Sequence, residues 1–269
     1  MIARVFPRRT RATPDDANAY VGLPPFWAEA DEVHISVTFT WDILRAERLA
    51  DSWEKIAPVN IGGPALDDPG AEFVSGMYLK PGYTITSRGC PNRCWFCSVP
   101  KREGNIRELP IVNGWNVLDS NLLACSRPHI EAVFAMLSRQ QHRAEFTGGL
   151  EAARLQDWHV ELLSQLRPRP IVFFAYDTPD DYERLVEAGK RMQAAGFTRE
   201  SHNLRAYVLV GYLKDAFDLA EIRLRSAWRG GFFPMAMLWR DQTGNASAEW
   251  RQFQRQWARP HIVACNLHR

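Results

Sequence analysis

The stretch Gly82-Tyr83-Thr84-Ile85-Thr86-Ser87-Arg88-Gly89-Cys90-Pro91-Asn92-Arg93-Cys94-Trp95-Phe96-Cys97 runs from a β-branched segment into a loop that holds three of the chain's five cysteines within eight residues. The spacing is Cys-x3-Cys-x2-Cys. Thiolates are soft ligands, suited to iron–sulfur clusters and to zinc. Their number bears on the choice. A structural zinc site is normally closed by four ligands. A [4Fe–4S] cube held by three thiolates keeps one iron open to a substrate or cosubstrate. Cys90, Cys94 and Cys97 are the candidate metal ligands.

Downstream of this loop a repeat emerges. Strand-like runs at Thr84–Arg88, Asn116–Asp119, Ala144–Thr147, Ile171–Tyr176, Ala206–Val210 and Phe233–Trp239 alternate with helical patterns at His129–Gln140, Ala152–Leu166, Asp180–Ala195, Ala216–Trp228 and Ala246–Trp257. Repeats of about thirty residues predict an α/β fold of (β/α)6 type, because parallel neighbours need crossover helices. In such sheets function gathers at the carboxyl ends of the strands. The ends read Asp119-Ser120-Asn121, Thr147-Gly148-Gly149-Leu150-Glu151, Tyr176-Asp177-Thr178, Val208-Leu209-Val210-Gly211-Tyr212 and Trp239-Arg240-Asp241. Each has a plain alternative: a Gly-Gly turn, Asp177 as a helix cap, Gly211 as a turn.

The run Cys90-Pro91-Asn92-Arg93-Cys94-Trp95-Phe96-Cys97, with the strand ahead of it, resembles the cluster motif of the radical S-adenosylmethionine (radical SAM) enzymes. The resemblance implies an open (β/α)6 partial barrel over 81–269 with a C-terminal helix, a [4Fe–4S] cluster on the three cysteines, and SAM as its partner. It places Trp95 and Phe96 both in the motif's aromatic slot, with Phe96 the candidate cofactor-binding residue. Gly148, Gly149 and Glu151 resemble the family's Gly-Gly-Glu motif for the SAM amino group, with Leu150 inserted. Either Glu151 or Asp119, beside Asn121, then takes the ammonium. Asp177 is expected at the ribose hydroxyls, and Val208 and Gly211 at the adenine.

Residues 1–80 read as an arm followed by a βαβ extension: a strand at Val33–Phe39, a helix over Asp42–Ile56 and a strand at Pro58–Gly63. This part resembles a fragment of the cobalamin-binding module that precedes some radical-SAM domains. It lacks the Asp-x-His-x-x-Gly signature, so cobalamin is not carried over, and its strands are expected to extend the main sheet. Residues 1–30, with Arg4, Arg8, Arg9 and Arg11, read as a solvated arm or a phosphate contact.

The 269 residues are 46% hydrophobic and 24% charged, ordinary for a globular chain with a proper core. No apolar run reaches membrane-spanning length, and the N-terminus has no signal-peptide h-region. Five cysteines, three of them crowded, argue against a disulfide framework, so a cytoplasmic location is expected. A net charge of +2 gives no global field for nucleic acid. Only five of 33 basic residues are Lys; the Arg excess suits phosphate or carboxylate recognition, and equally a GC-rich coding sequence. Cys125 reads as a buried small residue or, lying just past the second strand, as a hydrogen-atom donor; Cys265 reads as the former. His34, His129, His142, His159 and His202 have no metal-ligand spacing. Arg251, Arg255 and Arg259 form a stripe beside Trp250, Phe253 and Trp257, either a phosphate-binding face or the solvated side of a packed helix.

The resemblance implies reductive cleavage of SAM and hydrogen abstraction by the 5′-deoxyadenosyl radical, with a flavodoxin- or ferredoxin-type reductant. The Arg-rich ends lean the substrate toward a modified nucleobase or nucleoside in nucleic acid. A small metabolite or peptide is the alternative substrate. A non-catalytic zinc or iron–sulfur module, with Cys125 or His129 as fourth ligand, is the alternative class.

Overall fold

A computed structural model of the chain describes residues 1–66, 68, 74 and 76–267. The ranges 1–80 and 81–269 expected for its two parts include residues outside that set.

The N-terminal part is β1 (Ile2–Phe6), β2 (Ala19–Val21), β3 (Glu32–Ser36), α1 (Ile43–Trp53) and β4 (Val59–Gly62). These strands form their own four-stranded parallel sheet in the order β2-β1-β3-β4. They do not extend the main sheet as expected, because β3 spends both of its hydrogen-bonding edges on β1 and β4. The expectation of an arm over residues 1–30 is likewise corrected. Ala3 and Val5 are fully buried in a central strand, and Arg4 between them is held by the Asp16 carboxylate and the Met77 carbonyl. α1 covers this sheet with Ala46, Leu49, Ala50 and Trp53, the i, i+3, i+4, i+7 positions of one face. The Trp53 indole donates to the Gly22 carbonyl at 3.0 Å.

The second part begins with β5 (Tyr83–Thr84), β6 (Ser87–Arg88), α2 (Val99–Arg102), β7 (Arg107–Glu108) and β8 (Asn116–Val117). It continues with α3 (Arg127–Ser138), β9 (Glu145–Leu150), α4 (Asp157–Gln165), β10 (Ile171–Tyr176), α5 (Tyr182–Ala194), β11 (Leu204–Val210), α6 (Phe217–Arg229), β12 (Phe233–Leu238), α7 (Ala248–Trp257) and α8 (Pro260–Leu267). Strands β5, β8, β9, β10, β11 and β12 make a six-stranded sheet in chain order, each neighbour parallel. Sequential winding keeps every loop that leaves a carboxyl end on one rim.

The run expected as one strand over Thr84–Arg88 is two. β5 stays in the sheet, while β6 turns out and pairs antiparallel with β7, so the cysteines ride on an excursion closed at its base. The helix expected from Ala152 starts at Asp157; a 3-10 turn over Ala152–Arg154 precedes it. α8 went unforeseen. On α7, Arg251 and Arg255 face solvent while Phe253 and Trp257 are buried. Two separate apolar cores result, one under each sheet. No helix among the described residues is long and apolar enough to cross a membrane.

Candidate metal centre

The cysteine loop is fastened before it carries any ligand. Gly89 has φ +86°, and a Cβ there would lie 2.1 Å from the Asn105 carbonyl oxygen, so only glycine lets the two legs of the loop cross. The Cys90 amide donates to the Gly104 carbonyl at 3.1 Å. Glu103, buried to 8% exposure, is the fastening. Its carboxylate accepts from the Gly89 amide and the Ser120 hydroxyl, each at 3.0 Å, and faces Arg88 at 3.5 Å. Nothing in its local pattern singled out Glu103 in the sequence; its partners come from three separate segments.

Asp119 works the same joint from the other side. It accepts from the Thr86 amide and hydroxyl, both at 2.6 Å, and from the Ser87 hydroxyl at 2.7 Å. These bonds hold the break between β5 and β6. Both carboxylate oxygens are engaged with the protein, so Asp119 positions the loop and is not poised for an ammonium. Burial raises its pKa, against the pull of those hydrogen bonds.

The three thiols share one end of the excursion. The Cys97 amide donates to the Cys94 carbonyl at 3.1 Å, a tight turn that brings these two residues close along the backbone. Burial first, then the neighbouring Cys97 and Cys90, push Cys94 up to about 11. Burial also raises Cys97. Thiols raised in this way suit a cationic centre, which stabilises the thiolate form. Among the described residues no group of three or more His, Cys, Asp or Glu is placed so as to hold a metal ion, so the structure does not bring the three sulfurs together as a preformed site.

Asn121 links this end to the rim. Its Nδ2 donates to the Glu151 carboxylate at 2.6 Å and lies 3.4 Å from the Cys90 sulfur. Arg154 holds the same Glu151 oxygen at 2.7 Å. The inserted Leu150 is absorbed by a bulge: Phe146 pairs with Val172 but Leu150 with Phe174, so β9 spends four steps against two on β10. Leu150 drops into the core and Glu151 emerges on the rim. Gly148 is required at that bulge, since a Cβ there would lie 2.3 Å from the Asp119 carbonyl oxygen.

Asp177 follows β10 with its Oδ1 buried and unpartnered. Burial, then Asp181, push its pKa up to about 7. It is not the helix cap, because Thr178 and Asp181 form the reciprocal capping pair. Asp177 also acts electrostatically on Cys94 and Cys97. Val208 is wholly buried within β11. The Gly211 amide donates to Asp215 at 2.8 Å, and Asp215 pairs with buried Arg223, so that amide is taken. Trp95, 61% exposed, meets Phe96 and Tyr212 edge-on.

A cavity of about 850 Å³ lies between the two sheets and reaches Phe96. Ile85 and Leu118 from one edge of the six-stranded sheet, and Leu209 and Leu238 from the other, line this same space, so the sheet curves around it. Cys125 does not line it. Its thiol borders a separate cavity of about 320 Å³ beside His159, packs on the core, and is pushed up to about 11 by burial. Cys125, just past the turn over Leu122–Ala124, thus faces this smaller cavity, and its thiol also meets the Ser87 hydroxyl. His129 faces Glu108 at 3.8 Å.

Compared with known proteins, the chain matches no family model and no curated protein sequence.

Proposed function

We propose that the chain is a radical SAM enzyme whose curved sheet is a (β/α)6 partial barrel, working in the cytoplasm with a flavodoxin- or ferredoxin-type reductant. The observation that carries the reading is the Asn121 bridge. It ties Cys90, in the three-cysteine loop, to Glu151, the acid of a glycine-rich strand end, despite the inserted Leu150. Cys90, Cys94 and Cys97 are the residues to hold a [4Fe–4S] cluster. With SAM bound, such a cluster supplies a one-electron cleavage that yields a 5′-deoxyadenosyl radical able to take hydrogen from substrate.

The chain's own residues bind, orient and exclude water. Asn121 donates toward the Cys90 sulfur, and hydrogen bonds to sulfur tune a cluster's potential. Glu151 offers its carboxylate to the SAM ammonium. The unpartnered Oδ1 of Asp177 suits a ribose hydroxyl. Phe96, backed by Trp95, forms an apolar wall that keeps the site dry. The Gly211 amide is engaged by Asp215, and the Leu209 and Val210 carbonyls accept from Arg223 and Trp239, so adenine recognition does not fall to these backbone groups of β11.

The substrate reading leans to a modified nucleobase or nucleoside in nucleic acid; a small metabolite or peptide is second. A zinc module needs a fourth ligand, and Cys125 and His129 both have other neighbours. Anaerobic reconstitution tests the assignment. About four iron and four sulfide per chain are expected, with 5′-deoxyadenosine formed from SAM under reduction and both lost in Cys94→Ala. A colourless protein with one zinc contradicts it.

A further inference from the structure

The cavity between the sheets faces the carboxyl ends of both. In the N-terminal sheet the order β2-β1-β3-β4 means that the chain leaves β1 toward one side and β3 toward the other. The crevice at such a switch point is where open parallel sheets bind ligands. Phe6 to Arg8 at the end of β1, and Ser36 with Thr38 at the end of β3, line the cavity at that crevice. The two halves are fixed to each other across it. The Arg102 guanidinium donates to the Thr38 carbonyl at 3.2 Å, and the Thr40 hydroxyl to the Gln242 carbonyl at 3.1 Å.

The chemistry of the wall is one-sided. Four guanidinium groups, of Arg8, Arg88, Arg102 and Arg240, face the space against two carboxylates, Asp42 and Glu103. Both carboxylates are already satisfied, Asp42 by a bidentate pair with Arg8 and Glu103 by the loop. Trp41 Nε1 and Arg102 Nε, buried side-chain nitrogens on this wall, have no partner among the described residues, while His34 Nε2, also on the wall, lies 3.0 Å from the Glu32 carboxylate. The first two are donors. A buried donor left unsatisfied is costly, and a ligand with acceptor oxygens removes that cost. Trp41 is held in place, stacked on Phe39 at 4.8 Å with Arg240 over its ring at 5.9 Å.

We propose that this cavity binds a nucleotide-sized molecule through an oxyanion head group, phosphate or carboxylate, set between the switch point of the N-terminal sheet and the rim of the main sheet. The volume suits one such molecule. The proposal rests on the radical SAM reading only for what happens to the ligand afterwards; binding itself needs no cluster.

Equilibrium dialysis on the reconstituted full chain tests it, with the four ribonucleoside 5′-monophosphates, their parent nucleosides and orotate. The oxyanion compounds are expected to bind at least about tenfold tighter than the nucleosides, in line with charge-assisted pairing to Arg. Binding by monophosphates alone identifies phosphate, and by orotate alone carboxylate. Arg240→Ala is expected to weaken the bound compound about tenfold, and Trp41→Phe, which keeps a ring but removes the donor, about threefold to tenfold, the size of one hydrogen bond. Nucleosides binding as tightly as their monophosphates, no compound binding, or both variants matching the parent protein overturns the proposal. 5′-Deoxyadenosine formation from SAM alone, measured on the same samples, reports separately on the cluster.

Discussion

The two walls of the interior differ in the sign of what they leave unpaired. On the rim beside the cysteines Asn121 and Asp177 each leave a buried acceptor, Oδ1; on the wall between the sheets Trp41 Nε1 and Arg102 Nε are orphan donors, Arg102 coming from the helix that follows Cys97. SAM, a sulfonium with an ammonium and ribose hydroxyls, suits the first wall. An oxyanion suits the second. The difference follows from topology. Sequential winding of the six-stranded sheet gathers Asn121, Glu151 and Asp177 from successive strand ends onto one rim, whereas the crevice at the switch point of the N-terminal sheet is lined by Arg8 from that sheet and by Arg88, Arg102 and Arg240 from the second part.

The largest effect that separates the two halves is expected at Glu103. Removing it leaves Arg88 half-buried beside Gly89 and Ser120 without their acceptor. Breaking such a pair from one side costs about 3–5 kcal/mol. Glu103→Ala should lose most of its reconstituted iron, read by iron assay, while the N-terminal core stays folded. Trp53→Ala is the mirror experiment. It costs about 3–5 kcal/mol from cavity formation, but under the other core. Calorimetry should show the N-terminal sheet melting early with iron retained. If iron falls as far as in Glu103→Ala, the halves are not independent.

The six repeats were legible because β10 and β12 are short continuous apolar runs separated by helices of period 3.6, and Ile171–Tyr176 matches β10 residue for residue. The N-terminal sheet was half legible. β3, α1 and β4 show in the pattern, but β1 alternates around a partly buried arginine, and charge at Arg4 masked it. Which sheet the strands join depends on edge pairing, which no local pattern records. The cysteines were read from spacing alone. Glu103 was missed because its partners lie before, beside and after it in the chain, and Glu151 stayed ambiguous because a bulge is a property of two strands.

Smaller effects sharpen the rim. Gly148→Ala puts a methyl against the Asp119 carbonyl and should cost about 1–3 kcal/mol by overpacking, with weaker SAM binding by calorimetric titration as Glu151 shifts. Asp177 supplies a pH signature. Its folded pKa of about 7 lies above the ordinary carboxyl value, so the folded chain keeps a proton that the unfolded chain releases. Its contribution is present at low pH and is lost as pH rises from about 4 through 7. Asp177→Asn removes that dependence. Before reconstitution, thermal melts should show the variant gaining on the parent across this window by an amount on the order of 1–2 kcal/mol at pH 8, allowing for partial solvent screening. Parallel curves contradict the assignment of an uncompensated carboxyl at the rim.

The central claim is that three thiolates hold a cluster with one iron left for SAM beside Glu151. Electron paramagnetic resonance of the reduced, reconstituted protein, recorded with and without SAM, tests it most directly. The account predicts a [4Fe–4S] signal whose g-values shift when SAM is added, and a smaller or absent shift in Glu151→Gln at the same SAM concentration. A signal indifferent to SAM in the parent protein, or no cluster signal from protein that retains its three thiols, contradicts it.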